Sequence, residues 1–186
     1  EGDARPASGG LPQSATPAEL AALEAMATEG PWRVGGQDLK LTNLDKVLFP
    51  GREGAPEPLT KRDLIRWYAT AAPLMLPYLA ERAVNMRRYP NGVDKAGFWH
   101  KAVPSHAPDW ITTWRYPDAR PDDTAQTYIV VDSVPTLAWL ANYGAVELNP
   151  WTSPTARWTE PSWALIDLDP GSKTTFDDIV VLARLH

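Results

Sequence analysis

Two aspartates stand two residues apart in Asp167-Leu168-Asp169, directly after the apolar run Trp163-Ala164-Leu165-Ile166. That run suits a buried strand, and residues i and i+2 of a strand point to one face, so both carboxylates would project into one space. Two like charges held that closely need a cation between them, or one takes up a proton. Magnesium and manganese prefer oxygen ligands and are commonly held by one or two carboxylates together with substrate phosphates. Pro170-Gly171 then turns the chain and leaves the pair at the strand's mouth. The pattern predicts a divalent-metal site; the bland alternative is a strand end with a turn cap.

The elements that must position such a site alternate irregularly between helix and strand. Residues 1–15 are rich in Gly, Pro, Ser and Ala, have no hydrophobic period, and read as a flexible leader before a domain over 16–186. Thr16 caps a first helix, with Pro17 at its first position and Glu19 completing a capping box, and Gly30-Pro31 is expected to stop it. Short strands follow around 32–34 and 39–42, then a Gly/Pro loop over 51–59. A second helix starts at Thr60, with Leu64, Trp67, Tyr68 and Ala71 at helical spacing; Pro73 and Pro77 predict a kink or break. Strands are expected over 84–89, 97–101, 111–115 and 127–131, then a helix from Ser133 through Tyr143 ended by Gly144. A strand near 146–148, a Pro/Thr/Ser-rich loop, the strand 163–167 and a helix from about 175 complete the pattern. The last helix is cut at His186 without a capping glycine, so the chain reads as an interrupted domain.

Composition narrows the chemistry. The chain has no cysteine, which removes disulfides, thiolate catalysis and thiolate zinc sites. No apolar run reaches the ~18 residues of a membrane span, and no export signal is recognised, so a cytoplasmic location is expected. A net charge of −5 argues against indiscriminate coating of nucleic acid, but not against a local basic groove. Residues 82–101 carry Arg82, Arg87, Arg88, Lys95 and Lys101 against Asp94 alone, whereas Asp167, Asp169, Asp177 and Asp178 cluster later. A basic stretch and an acidic cluster in one small protein suit a phosphate-rich ligand held beside a metal.

Five segments occur in order: LTNLDKVLFP (41–50), LTKRDLIRWY (59–68), RRYPNGVDKAGFWHK (87–101), LAWLANYGAVELNPW (137–151) and WALIDLDPG (163–171). Together they resemble the polymerase domain of bacterial DNA ligase D and its stand-alone relatives, in the archaeo-eukaryotic primase superfamily, over roughly residues 32–186. The resemblance implies an α+β, primase-type polymerase fold: an N-terminal α/β unit and the beginning of an RRM-like catalytic unit, truncated after about residue 186. It makes Asp167 and Asp169 the first two catalytic carboxylates, binding Mn2+ or Mg2+. It makes Lys46 and Lys61 the lysines that grip the 5′-phosphate of a recessed DNA end. Phe98 and Trp99 match an aromatic pair lying against the template strand; alternation along a strand predicts one ring in the core and one free to stack. Arg88 and Lys101 would contact phosphates, while Asn43 and Asp45 would shape the loop around Lys46.

This sequence departs from the family pattern at Asn149, where histidine is usual near the incoming nucleotide; Asn can hydrogen-bond a sugar or base but carries no charge. A later Ser-x-His segment and a third metal-binding aspartate are not found, and His100, His106 and His186 read as surface or linker residues. The implied function is a nucleotidyltransferase that fills gaps or adds nucleotides in DNA break repair, inactive as this fragment. Implied partners are DNA ends carrying a 5′-phosphate and nucleoside triphosphates, then Ku and a DNA ligase, in a bacterial, nucleoid-associated setting and away from membranes. Two rivals stand beside it. One is a non-catalytic DNA-end-binding module that keeps Lys46, Lys61, Phe98 and Trp99. The other is a haloacid-dehalogenase-like phosphatase, whose Asp-x-Asp also ends a strand but usually continues Gly-Thr, where Pro170-Gly171-Ser172 stands here.

Overall fold

In a computed structural model the described residues are 14–122 and 126–185. Helix α1 (Pro17–Ala25) begins at the capping box: Thr16 accepts from Glu19 N–H, and the Glu19 carboxylate accepts from Thr16 N–H. It ends at Ala25, short of the expected Gly30-Pro31, because those two residues already belong to a strand. Strands β1 (Gly30–Val34) and β2 (Gln37–Leu41) form an antiparallel hairpin. Gly35 and Gly36 make its turn, both at positive φ (54° and 82°), which other residues adopt only with strain. Trp32, Val34, Leu39 and Leu41 face inward while their neighbours are exposed, the period-two pattern of a half-buried ribbon.

Strands β3 (Val47–Phe49) and β4 (Leu59–Thr60) pair across the 50–58 loop and lead into α2 (Lys61–Leu79). Thr60 and Asp63 form a second capping box at its start. The expected break at Pro73 or Pro77 does not occur; the helix runs 19 residues through both. Proline has no N–H, so Pro73 leaves the carbonyl of Ala69 without its helical donor. The N–H of Ala15 fills that place at 3.0 Å. Ala15 is itself buried, so the last residue of the expected leader is packed, while residues 1–13 lie outside the described residues.

The main sheet is antiparallel and centred on β5 (Ala83–Arg88). Along one edge β5 pairs β9 (Ala145–Pro150); along the other it pairs β8 (Thr127–Val130) through Ala83 and Val84, and β6 (Phe98–His100) through Met86 to Arg88. Strand β7 (Thr113–Arg115) extends the sheet from β8. Helix α3 (Val134–Asn142) packs on α2, and the pair covers the sheet with Ile65, Ala69, Leu76, Leu137, Leu140 and Met86, all at most 2% exposed. The Tyr68 hydroxyl lies 3.0 Å from the Ala145 and Val146 carbonyls, tying α2 to β9. Gly144, at φ 77°, ends α3 where the chain reverses into β9, and its carbonyl accepts from Tyr89 N–H at 2.8 Å.

The expected strand at 163–167 is not formed. A strand needs a neighbour to take its N–H and C=O groups, and among the described residues none pairs with this segment. Its apolar side chains are accordingly exposed, Leu165 at 76% and Ile166 at 54%. Helix α4 (Phe176–Leu185) follows, started by Thr175 and Asp178, and buries none of its residues. Among the described residues no helix is long and apolar enough to cross a membrane.

Candidate functional site

Three cations from separate elements meet in a cavity of about 260 Å³. Lys46 comes from the turn between β2 and β3, where Asn43 takes a positive φ of 53° and its carbonyl accepts from Lys46 N–H. Asp45 pairs with Arg62 at 3.1 Å; both Asn43 and Asp45 thus shape the loop, as expected. The Lys46 ammonium donates to Asn91 Oδ1 at 3.0 Å, in the turn after β5. Lys61 opens α2 and is only 8% exposed. Arg88 ends β5; its Nε donates to the Tyr143 carbonyl at 2.8 Å, and its guanidinium lies 3.3 Å from the Tyr143 ring centroid.

Among the described residues no carboxylate lines this cavity. Burial, then the nearby charges of Lys46 and Arg88, pushes the Lys61 amine down to about 8. Burial also lowers the Arg88 pKa. Like charges gathered without an acid are unfavourable by themselves and favourable around a multivalent anion such as a phosphate monoester. Helix amides contribute little: the N–H groups of Lys61 and Arg62 already donate to the Lys46 and Leu44 carbonyls, and that of Asp63 faces the Thr60 hydroxyl. Side-chain cations, rather than the amide groups of a helix start, therefore give the cavity its positive character. Asn91 and Tyr143 escaped sequence reasoning; the Pro90-Asn91-Gly92 turn and the tyrosine before Gly144 were the available signals.

The remaining basic residues of 82–101 do not converge there. Arg82 donates to the Trp151 carbonyl (3.0 Å) and to Ser162 Oγ (2.6 Å). Arg87 lies 3.7 Å from Glu147, Lys95 pairs with Asp94 at 2.9 Å, and Lys101 is exposed beyond β6, away from the cavity lining. Phe98 and Trp99 are both exposed, at 45% and 56%, contrary to the expected division into one core ring and one free ring. The cause is position: β6 is a three-residue edge strand that, among the described residues, pairs only with β5. Phe98 sits opposite Arg88 in register, its ring 5.1 Å from the guanidinium, which links the exposed aromatic pair to the cavity.

Two histidines are less peripheral than their sequence context suggests. His100 is half-buried with its ring edge-on to Tyr143 at 5.6 Å, and burial, with Arg88 nearby, lowers its pKa. His106 is exposed yet packs 5.2 Å from Tyr143 and 6.0 Å from Trp139. His186 lies outside the described residues.

Asp167 and Asp169 stand exposed on the unpaired segment after Ile166, and neither lines the cationic cavity. As two oxygen donors they suit a hard divalent ion in kind. Among the described residues they are not joined by a third carboxylate or histidine. Asn149 is exposed on β9, opposite Asn85 of β5, and also stands apart from the cavity lining.

Comparison with known proteins bears on the whole arrangement. The sequence model described as LigD, primase-polymerase domain, matches residues 60–186. The multifunctional non-homologous end joining DNA repair protein LigD of Mycobacterium tuberculosis is 35% identical over 156 residues, covering 80% of this chain and 20% of that protein. The bifunctional non-homologous end joining protein LigD of Bacillus subtilis is 33% identical over 139 residues, covering 74% and 20%. The chain thus spans about a fifth of the length of these relatives. The solved polymerase domain from Mycobacterium tuberculosis ligase D, in complex with DNA, superposes with a TM-score of 0.53 at 37% identity, over 61% of this chain and 37% of that one. On the family model and these relatives together, the chain belongs to the LigD primase-polymerase domain family.

Proposed function

We propose that the chain grips the 5′-phosphate of a DNA end in the cavity of Lys46, Lys61 and Arg88, as the end-binding part of a nucleotidyltransferase for non-homologous end joining. The observation that carries this reading is the acid-free meeting of three cations, one of them 8% exposed. A terminal phosphate monoester bears more charge than an internal diester, so the cavity distinguishes an end from a continuous backbone. Phe98 and Trp99, open on the edge strand beside Arg88, offer flat faces to unpaired template bases. Lys101 adds a peripheral backbone contact, and Asn149 a neutral hydrogen-bonding group toward a nucleotide. Asp167 and Asp169 would hold Mn2+ or Mg2+, which when bound polarises phosphoryl oxygens and stabilises the charge of the leaving pyrophosphate. Nucleoside triphosphates, Ku and a ligase are the partners this role requires, in a bacterial cytoplasm at the nucleoid.

The isolated chain acts first as an end binder, because the cationic cavity is assembled while the two aspartates stand on an exposed, unpaired segment. The test compares a gapped duplex carrying a recessed 5′-phosphate with its 5′-hydroxyl counterpart. Binding is expected about tenfold or more tighter with the phosphate, and Lys46→Ala or Lys61→Ala should erase most of that difference. Equal affinity for the two ends sinks the reading.

A further inference from the structure

Lys46 and Lys61 line the same cavity, but their amines are not equivalent. The Lys46 ammonium donates to Asn91 Oδ1 at 3.0 Å, whereas among the described residues the Lys61 amine has no hydrogen-bond partner. Burial, with Lys46 and Arg88 nearby, brings the Lys61 pKa down to about 8. A sizeable fraction is therefore the neutral amine at pH values where an ordinary lysine is almost wholly protonated. Desolvation and neighbouring cations are the two means by which a lysine becomes a nucleophile, and both act here. The cavity also selects what that amine meets. Lys46 and Arg88 give it positive charge, and among the described residues no carboxylate offsets them, so molecules bearing a phosphate are concentrated there. At about 260 Å³ the cavity is several times the ~30 Å³ share of a water molecule, which leaves room for a short acyl group beside the phosphate.

We propose that Lys61 is an acylation site for acyl phosphates, small phosphates that carry an activated carbonyl. The proposal rests on the cavity holding a phosphate group, as in the end-binding role. Lys46 and Arg88 hold the phosphate, and the lone pair of Lys61 Nζ forms a bond to the adjoining acyl carbon. The bond between that carbon and the bridging oxygen breaks. Inorganic phosphate leaves with the electron pair, its charge balanced by the same two cations, and the surplus proton on nitrogen passes to solvent. The product amide is neutral, so acylation removes one of the three cations and weakens the cavity for any later phosphate. Acyl phosphate would thereby set the fraction of chains able to hold a 5′-phosphate.

The experiment treats the chain with acetyl phosphate at slightly alkaline pH and follows acetylation at each lysine by quantitative peptide mass spectrometry. Lys61 should react about tenfold or more faster than the exposed Lys40, Lys95, Lys101 and Lys173. Inorganic phosphate should suppress the reaction at Lys61 and leave those four rates unchanged. Lys46→Gln, which removes one holder of the phosphate, should slow Lys61 several-fold. The acetylated chain should lose its preference for a 5′-phosphorylated over a 5′-hydroxyl gapped duplex. A Lys61 rate no greater than that of the exposed lysines overturns the acylation site, even where duplex binding depends on the phosphate. A fast Lys61 rate that inorganic phosphate does not lower overturns it equally, since the cavity would then play no part in choosing the donor. Duplex binding indifferent to the 5′-phosphate counts against the end-binding role alone, because protection of Lys61 by inorganic phosphate is read without DNA.

Discussion

Lys61 sits at the first position of α2 with its amine buried between two other cations, and that placement opposes folding. Its ordinary pKa near 10.5 falls to about 8, so at neutral pH the folded state holds a charged group in surroundings that favour the neutral one. Discounted for the amine's remaining solvent contact, the cost is on the order of 1–3 kcal/mol. Lys61→Met keeps the length of the side chain and removes the charge, so it should raise the unfolding free energy by about 1–3 kcal/mol in urea titration while abolishing preference for a 5′-phosphate. A variant less stable than the parent would contradict the burial account. Only part of this was legible in the sequence. Lys46 and Lys61 were singled out through motif resemblance, since a lone lysine near a helix start is ordinarily solvated. Their meeting with Arg88 depends on β5 running beside the β2–β3 turn, a long-range fact that no local pattern carries.

At the scale of elements, α2 shows how a local rule can be satisfied from a distance. Pro73 and Pro77 read as a break because an interior proline removes a helical hydrogen bond. The Ala15 N–H replaces the one lost at Ala69, so the helix continues and keeps Lys61 and Tyr68 on one rigid body. Ala15→Pro withdraws that donor and should cost about 1–3 kcal/mol of stability, read as a lower denaturation midpoint with an unchanged m-value. Had residue 15 been loose leader, the substitution would be silent. Hairpin β1–β2, both capping boxes and the central strands were legible because period-two burial and cap chemistry are local. The strand at 163–167 was misread for the opposite reason: an apolar run describes the strand's own preference, whereas a strand exists only with a neighbour to pair with. The same finding weighs against the dehalogenase-like phosphatase, whose nucleophile needs a strand end to present it.

For the whole molecule, a net charge of −5 coexists with a cavity lined by three cations and, among the described residues, no acid, so positive charge is concentrated at one place. No residue from 151 to 185 lines that cavity. In the proposed role, end binding and metal chemistry are therefore separable: Asp167→Ala with Asp169→Ala should change affinity for a 5′-phosphorylated gapped duplex by less than about 0.5 kcal/mol, and a chelator should not change it either. A large loss on either treatment would mean that the carboxylate segment shares the end-binding site. The order of five motifs pointed to the family and the mixed fold, and residues of the first four meet in space around the cavity, whereas those of the fifth stand apart. It left open which residues of the basic stretch 82–101 would converge. Register decides that point: Arg88 turns into the cavity while Arg87, its neighbour, reaches Glu147.

In the proposed end-binding role, the depressed amine of Lys61 would also make recognition an exchange with the solvent. Above pH about 8 the empty cavity increasingly holds a neutral amine, and an arriving phosphate favours its protonation. Each engagement on the alkaline side then draws in part of a proton from the buffer. Heat of association consequently depends on the buffer's own ionisation enthalpy, and affinity declines as alkalinity rises. If the cavity takes a 5′-phosphate as proposed, its hold weakens as pH rises through about 8 without any rearrangement of the fold, while below about pH 6 protonation of the phosphate itself ends the gain.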